Sequence, residues 1–387
     1  MKDLKDKIQT LCIFREFLKD PVISALRDFL ESPANSAYAE FVAKLYNSNG
    51  GNLSEYVKAL CEDSENIYVK TAGKGEAVPE YMTSALKSEL QVLQQISELS
   101  KDKLCEKLES PENLPDFATE KLNLTDVYLH RAENIGKYGY GIYAKNRMFY
   151  VDGENRIVPV LHPDKTDLSD LIDYRRERQT VLDNTKALLH NKPAANILLT
   201  GDAGTGKSST VKAVVNALWC EGLRIIEIRK DQLRSIPKIL DELSENPLKF
   251  ILFIDDLSFL KDDDSFNALK AVLEGSVTGK PKNVVIYATS NRRHIINEKL
   301  SDREGDDVHR NDTMQEQLSL SERFGIHVSF YKPNKETYLN IVHHLAEISG
   351  ISMDFSELDL LAERFALERG GRSARLARHF IDGLLSK

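Results

Sequence analysis

Four cysteines in 387 residues, Cys12, Cys61, Cys105 and Cys220, stand far apart and form no Cys-x-x-Cys pair. That scatter argues against a disulfide framework and against a structural zinc site. No apolar run approaches the roughly 18 residues that a membrane-spanning helix needs, so no membrane partner is expected. The opening residues, MKDLKDKIQT, lack the apolar stretch and small-residue cleavage site of a signal peptide, and a reducing cytoplasm is the expected setting. Basic charge is not in surplus either. Lys and Arg number 52 against 60 Asp and Glu, a formal net charge of −8, which excludes a globally cationic nucleic-acid coat but leaves a local basic site open.

What is present is an ordinary globular balance, 41% hydrophobic and 29% charged, which sets the chain apart from disordered and fibrous classes. At roughly 150 residues per domain the length suggests two or three domains. Residues 1–135 read as mainly helical. Ile13 and Phe17, then Ile23, Leu26 and Leu30, recur at helical spacing with breaks at Pro21 and Pro33, and Leu86, Leu90, Leu93 and Ile96 mark another amphipathic helix. Asn47–Gly51 is a turn cluster. These stripes either pack among themselves, the commoner outcome, or line a partner groove.

Residues 136–165 change period. Tyr140, Ile142, Tyr143, Met148, Phe149 and Tyr150, then Arg156 to Val160, predict short strands joined by an Asp152-Gly153 hairpin turn. Two readings of the aromatic residues beside Lys145, Arg147 and Arg156 are open: packing of a small sheet, or stacking on single-stranded nucleic acid. His162-Pro163-Asp164 reads as a linker. From 166 to 332, apolar strands at Ala195–Thr200, Arg224–Ile228, Phe250–Ile254, Val284–Ala288 and Ile326–Phe330 alternate with helices such as Lys207–Cys220, the pattern of a helix-covered parallel sheet. Residues 333–387 are three helical stretches, broken near Gly350 and Gly370-Gly371.

The strongest chemical signal is Gly201-Asp202-Ala203-Gly204-Thr205-Gly206-Lys207-Ser208, which follows an apolar strand and opens a helix. It matches the phosphate-binding loop GxxxxGKS: glycines turn backbone N–H groups toward a phosphate, Lys207 supplies a cation, and Ser208 offers a hydroxyl to Mg²⁺. Phe250–Asp256 is an apolar strand delivering Asp255 and Asp256 at its carboxyl end, where open α/β sheets bind ligands. Asp255 is the expected Mg²⁺ carboxylate and Asp256 the group that orients attacking water. Asp stands where many such ATPases carry Glu; being one methylene shorter, it points to slow turnover or a less direct alignment. Val284–Asn291 ends in polar groups, of which Asn291 is the expected γ-phosphate and water contact, with Thr289 and Ser290 as neighbours able to share the role. Arg323, before the last strand, is either an arginine finger reaching a neighbour's nucleotide or a surface ion-pair residue. In the final helix Arg375 (less so Arg372) is placed to lean onto the γ-phosphate, and Arg378 reads as a solvated face charge.

This order of parts resembles the AAA-type ATPase superfamily from about Leu168 onward. More closely, the chain is similar to a bacterial family of AAA-type ATPases long described as a domain of unknown function. The likeness rests on Asp183-Asn184-Thr185, Gly206-Lys207-Ser208-Ser209, Phe253–Phe259, Ala288–His294 and Leu318–Gly325. The resemblance implies a P-loop NTPase α/β fold, with a parallel five-stranded sheet and a C-terminal helical lid. It also implies ATP and ADP as ligands, Tyr174 flanking the base from a segment with Leu171 and Ile172, and homo-oligomers in which Arg323 acts in trans. The expected activity is a Mg²⁺-dependent ATPase that remodels or loads a macromolecular partner, protein or DNA. A slow nucleotide-dependent switch is the second reading, and a small-molecule kinase, which has no use for Asn291, Arg323 and Arg375, is disfavoured. The basic run Arg292-Arg293-His294 is a candidate contact to a neighbour or to nucleic acid. The charged stretch Asn297–Asn311 is expected to order when a neighbouring subunit or substrate docks. His294, His343 and His344 have no metal-ligand spacing.

Overall fold

The computed structural model describes residues 2–106, 108, 111, 113–257, 259–260, 264–274, 281–291, 296–297 and 322–386. The chain forms two compact units, Met1–Lys145 and Asn146–Lys387.

The first unit is helical: α1 (Lys2–Gln9), α2 (Pro21–Glu31), α3 (Asn35–Asn49), α4 (Leu53–Asp63), α5 (Ile67–Gly73), α6 (Glu80–Ser97), α7 (Lys101–Cys105), α8 (Leu124–Glu133) and α9 (Ile135–Tyr138). Pro21 begins a helix rather than interrupting one. Asp20 caps it by accepting from the N–H groups of Val22 (3.0 Å) and Ile23 (2.9 Å), and a proline in the first turn has no amide to leave unpaired. Leu86, Leu90, Leu93 and Ile96 on α6 are fully buried in this unit's core beside Phe14, Phe29 and Phe41. Buried Glu89 on the same helix is satisfied by the N–H groups of Cys12, Ile13 and Phe14. The Tyr140–Tyr143 segment, expected as strand, is instead a 3₁₀ turn at Gly141–Tyr143 following Gly139, whose φ is +69°.

The second unit is an α/β P-loop fold. Its main sheet comprises β1 (Met148–Val151), β2 (Ile157–Pro159), β3 (Ile197–Gly201), β4 (Leu223–Glu227), β5 (Lys249–Ile254), β7 (Val284–Ser290) and β9 (Ile326–Phe330), in the order β2-β1-β4-β5-β7-β3-β9. A separate two-residue pairing joins β6 (Phe259–Leu260) to β8 (Ile296–Asn297). The five expected parallel strands are present, ordered β4-β5-β7-β3-β9. The hairpin β1–β2 is not a sheet of its own. It extends the same sheet, β1 running parallel to β4 with Met148 opposite Ile225 and Tyr150 opposite Glu227. Pro159, which lacks a ladder donor, sits on the outermost strand, where the missing N–H costs least.

The hairpin turn also differs from a two-residue Asp-Gly turn. Asp152 N–H donates to the Arg156 carbonyl, the Asp152 carboxylate accepts from the N–H groups of Glu154 and Arg156 (both 2.9 Å), and Asn155 takes the left-handed conformation at φ +59°. The side chain of Asp152 therefore organises a longer loop. His162-Pro163-Asp164, read as a linker, is tied down: Asn216 donates to the carbonyls of Asp164 and Thr166.

Helices α10 (Arg175–Leu189), α11 (Lys207–Leu218), α12 (Ile236–Ser244) and α13 (Asp264–Glu274) connect the strands. Leu199, Val214, Ile251, Phe253, Tyr287 and Val328 share one core cluster. The Tyr287 hydroxyl within it bonds Thr185 (2.8 Å) and Asn184 (3.0 Å), and Asn184 also exchanges hydrogen bonds with the Ala195 backbone. Asn184 and Thr185 of the Asp183-Asn184-Thr185 signature thus fasten α10 to the sheet. Helices α14 (Lys335–Ile348), α15 (Phe355–Glu368) and α16 (Ala374–Leu385) form the lid, around Tyr338, Val342, Leu358, Ala362 and Ile381.

Candidate functional site

The site lies at the carboxyl ends of β3, β5 and β7, where three adjacent parallel strands deliver three different loops. A cavity of about 620 Å³ opens there, bounded by the phosphate loop, the segment before α10 and the lid. The loop's shape is dictated by glycine. Gly201 has φ +138°, and a Cβ on it would lie 1.9 Å from the Phe330 carbonyl oxygen of β9, so the neighbouring strand leaves room for nothing larger. Gly206, at φ +91°, is the residue from which α11 starts.

Lys207 is 5% exposed and spends its donors on the carbonyls of Gly201 and Asp202 (both 2.8 Å) and on Asn291 Oδ1 (2.9 Å). Burial lowers its pKa from 10.5, opposed by the nearby Asp255, Asp202 and Asp256. The amide of Asn291 donates in turn to Asp256 Oδ1 at 2.6 Å. A second chain runs beside the first: Ser208 Oγ donates to Asp255 Oδ1 (2.6 Å), and Thr289 Oγ1 donates to the same oxygen (2.5 Å). The Thr289 hydroxyl also accepts the Asp256 N–H at 2.9 Å. Asp256 itself is left-handed, at φ +55°. Thr289, a candidate to share the role of Asn291, is therefore the joint between the two aspartates.

Gly204, Thr205, Gly206, Lys207, Ser208, Ser209, Asp255, Asp256, Asn291, Tyr174 and Arg375 line one cavity. Gly201 and Asp202 contribute carbonyls to Lys207 without lining it, and Ala203 is likewise absent from its wall. Tyr174 packs its ring on Phe330 with centroids 5.1 Å apart and donates its hydroxyl to the Tyr331 carbonyl; burial, then the neighbouring Asp173, pushes its pKa up to about 12. Arg375 N–H donates to the Gly204 carbonyl at 3.3 Å, so the lid touches the phosphate loop through backbone.

Three further arginines take different places. Arg372 is held away from the cavity by a bidentate pair with Glu363 (2.7 and 2.6 Å). Arg378, expected to be a solvated face charge, lines the cavity one turn after Arg375; that helical spacing was the signal that could have found it. Arg323 does not line the cavity of its own chain and bonds the Glu274 carboxylate. Arg292-Arg293-His294, residues 298–311 and Leu318–Ser321 lie outside the described residues. His343 Nε2 hydrogen-bonds to the accepting Asp359 carboxylate (2.5 Å) and its ring stacks on Phe355, an intra-lid arrangement. Among the described residues no His, Cys, Asp and Glu cluster of metal-binding size occurs, and no helix is long and apolar enough to cross a membrane.

The strand order and the phosphate loop define a P-loop α/β protein with a helical lid. The chain belongs to the family described as Protein of unknown function (DUF815), whose model matches residues 144–387. Similar solved structures include the Thermotoga maritima RuvB Holliday junction branch migration motor, at 15% identity and TM-score 0.37, covering 55% of this chain and 61% of that one. A lysine-to-arginine mutant of Thermotoga maritima RuvB gives 14% identity and TM-score 0.38, with 55% and 62% coverage. The chain thus spans less than two thirds of these proteins' length. No protein of curated function matches the sequence.

Proposed function

We propose that the protein is an ATP-hydrolysing AAA-type machine that couples nucleotide state to the remodelling or loading of a macromolecular partner. The observation that carries this is the Lys207–Asn291–Asp256 chain lying beside the Ser208–Asp255–Thr289 chain at one cavity. A phosphate-binding cation, a neutral amide and two carboxylates meet there, as hydrolysis of a terminal phosphate requires.

Ser208 Oγ and Asp255 Oδ1, hard oxygens 2.6 Å apart at the cavity, suit Mg²⁺, which keeps several waters and takes few protein ligands. When bound, Mg²⁺ supplies charge neutralisation at the β- and γ-phosphates. The chain's own residues do the rest. Lys207 exchanges its bonds to Asn291 and the loop carbonyls for phosphate oxygens. Asn291 is then free to orient a water against the γ-phosphorus. Asp256 takes the proton as the new P–O bond forms and the β–γ bridging bond breaks, releasing ADP. Arg323 of a neighbouring copy, released from Glu274, offsets charge on the departing phosphoryl group; an exposed pair of this kind costs little to break.

A second reading is favoured by one observation. The Asp256 carboxylate is engaged by Asn291 and its backbone is held left-handed, an arrangement that suits slow hydrolysis and a nucleotide-dependent switch binding DNA or a protein. ATP turnover with and without DNA, across salt concentrations, separates the two, because DNA contacts weaken steeply as salt rises. Lys207→Ala is expected to abolish ATP binding, whereas Asp256→Asn keeps binding and loses turnover. Unchanged hydrolysis by Asp256→Asn refutes the assignment of the base.

A further inference from the structure

The lid is joined to the sheet by Tyr331–Asn334, between the end of β9 and the start of α14. Little of that junction is free to bend. Pro333 has a fixed φ and keeps Lys332 extended. Asn334 is committed to capping α14, its Oδ1 accepting from the Thr337 N–H at 2.8 Å. Tyr331 is left as the residue at which the lid can swing.

A side chain from elsewhere in the unit closes on that residue. The Tyr174 hydroxyl donates to the Tyr331 carbonyl, and the Tyr174 ring packs on Phe330, one residue earlier, with centroids 5.1 Å apart. The ring thus grips the last residue of β9 while the hydroxyl grips the first of the junction.

The segment that carries Tyr174 reaches both bodies. Leu168 and Tyr174 pack on the core cluster of the sheet, whereas Ile172 packs on that of the lid. In an extended chain residues two apart share a face. Here Asp173 and Tyr174 are left-handed in succession, at φ +61° and +52°, which turns the chain between Ile172 and Tyr174. Such a backbone persists only where its surroundings impose it. Arg178 supplies the restraint, its Nη1 donating to the carbonyls of Leu168 (2.9 Å) and Leu171.

The lid is seated a second time, on the phosphate loop. Arg375 N–H donates to the Gly204 carbonyl at 3.3 Å, and a Cβ on Gly204 would lie 3.0 Å from that of Arg375. Arg375 stands in the first turn of α16, where amides lack an intrahelical acceptor. Protection of its amide from exchange therefore reports this seat.

We infer that Tyr174 is a positioning residue for the lid: its hydroxyl latches the sheet–lid junction and thereby keeps Arg375 seated on the phosphate loop. With the junction released, the lid hangs on the phosphate-loop bond and breaks it more often. This task differs from flanking a base, and phenylalanine separates the two, because it keeps the ring and removes the latch. The latch belongs to the nucleotide-free chain; its effect on turnover rests on the ATP-hydrolysing reading above.

The experiment is residue-resolved amide hydrogen exchange on the full, nucleotide-free chain, comparing the unaltered protein with Tyr174→Phe. Losing one neutral hydrogen bond should speed exchange of the Arg375 amide about 2- to 12-fold. Amides inside the lid, such as Leu345, and in the sheet, such as Leu199, should keep their rates, which a general loss of stability would not allow. In ATP turnover the same variant should lower kcat by a similar factor, with KM altered less. The inference is overturned by unchanged Arg375 exchange, by equal acceleration at Leu199, or by an unaltered kcat where Arg375 exchange has quickened. If the chain hydrolyses no ATP, the exchange measurement decides alone, so the hydrolysis reading can fail while this one stands.

Discussion

Replacing Thr289 by valine tests the joint between the two aspartates with almost no change of shape. Thr289 is 2% exposed at the end of β7, a central strand, so valine fits the same space. What disappears is one hydroxyl that does two things: it donates to Asp255 Oδ1 and accepts the N–H that holds Asp256 in its left-handed turn. Losing a bond to a charged oxygen costs about 1.5–3 kcal/mol, and leaving an N–H unpaired costs about 1–3 kcal/mol. Water reaches exposed Asp256 and recovers part of the second, so a net loss of about 2–3 kcal/mol is expected. For a unit of this size, 1 kcal/mol moves Tm by about 2–4 °C, which predicts a drop of about 4–12 °C. The same change frees Asp256 to leave its turn, so ATP turnover should fall at least about tenfold, equivalent to 1.4 kcal/mol of misplacement. Nucleotide affinity measured without Mg²⁺ should stay within about twofold, because Lys207 and the phosphate loop are untouched. Differential scanning fluorimetry, a phosphate-release assay and a nucleotide titration read the three quantities. A valine variant with wild-type Tm and turnover refutes the role of the hydroxyl.

Other outcomes follow from the same geometry. Gly201→Ala should cost about 2–4 kcal/mol in chemical denaturation and abolish nucleotide binding, since its methyl group meets the Phe330 carbonyl. Mixing Arg323→Ala with Lys207→Ala protein should restore ATP turnover if Arg323 serves a neighbour's site, and no recovery in the mixture rejects action in trans. The Arg372 guanidinium holds the Glu363 carboxyl below its usual 4.5, so this pair's contribution is fully present above 4.5 and fades as pH falls through the lowered value. Hydrogen exchange of α15 should therefore quicken in that acid window, and Glu363→Gln should remove the pH dependence. Burial lowers the pKa of Lys207 below 10.5, so the nucleotide-free unfolded chain holds the extra proton between the two values. This group therefore adds stability as pH rises through that interval, an increment that Lys207→Met should abolish in denaturation curves.

The parts of the fold that could be read in the sequence are those whose backbone is set by contiguous residues. The phosphate loop needs glycines where Gly201 and Gly206 stand, and the apolar run of β5 places Asp255 and Asp256 at a strand end without help from distant chain. The β1–β2 hairpin was legible as strands but not as an extension of the main sheet, because the partner of an edge strand is chosen by packing, here Met148 entering the core of the second unit. Tyr140–Tyr143 alternates like a strand, yet Gly141 at φ +61° sits where a Cβ would lie 2.1 Å from the Glu65 carboxylate, a tertiary restriction that no local pattern announces. In the site, residue types and spacing pointed to Lys207, Asp256 and Asn291, but not to their being hydrogen-bonded to one another in sequence. Nor did the primary structure distinguish Arg372 from Arg375 by partner: Glu363 claims the first, nine residues away on another helix.

The backbone bond from Arg375 to the Gly204 carbonyl ties the first turn of α16 to the phosphate loop, the point about which a tilt of the lid would pivot. The helix is 12 residues, about 18 Å at 1.5 Å per residue, with the loop at its first turn and Leu385 at its last. A tilt of about 10° at the fulcrum sweeps the far end through about 3 Å, roughly two residues' rise along a helix. Leu385 at that far end is 56% exposed, so a tilt of the lid about that point would change an apolar patch of the surface.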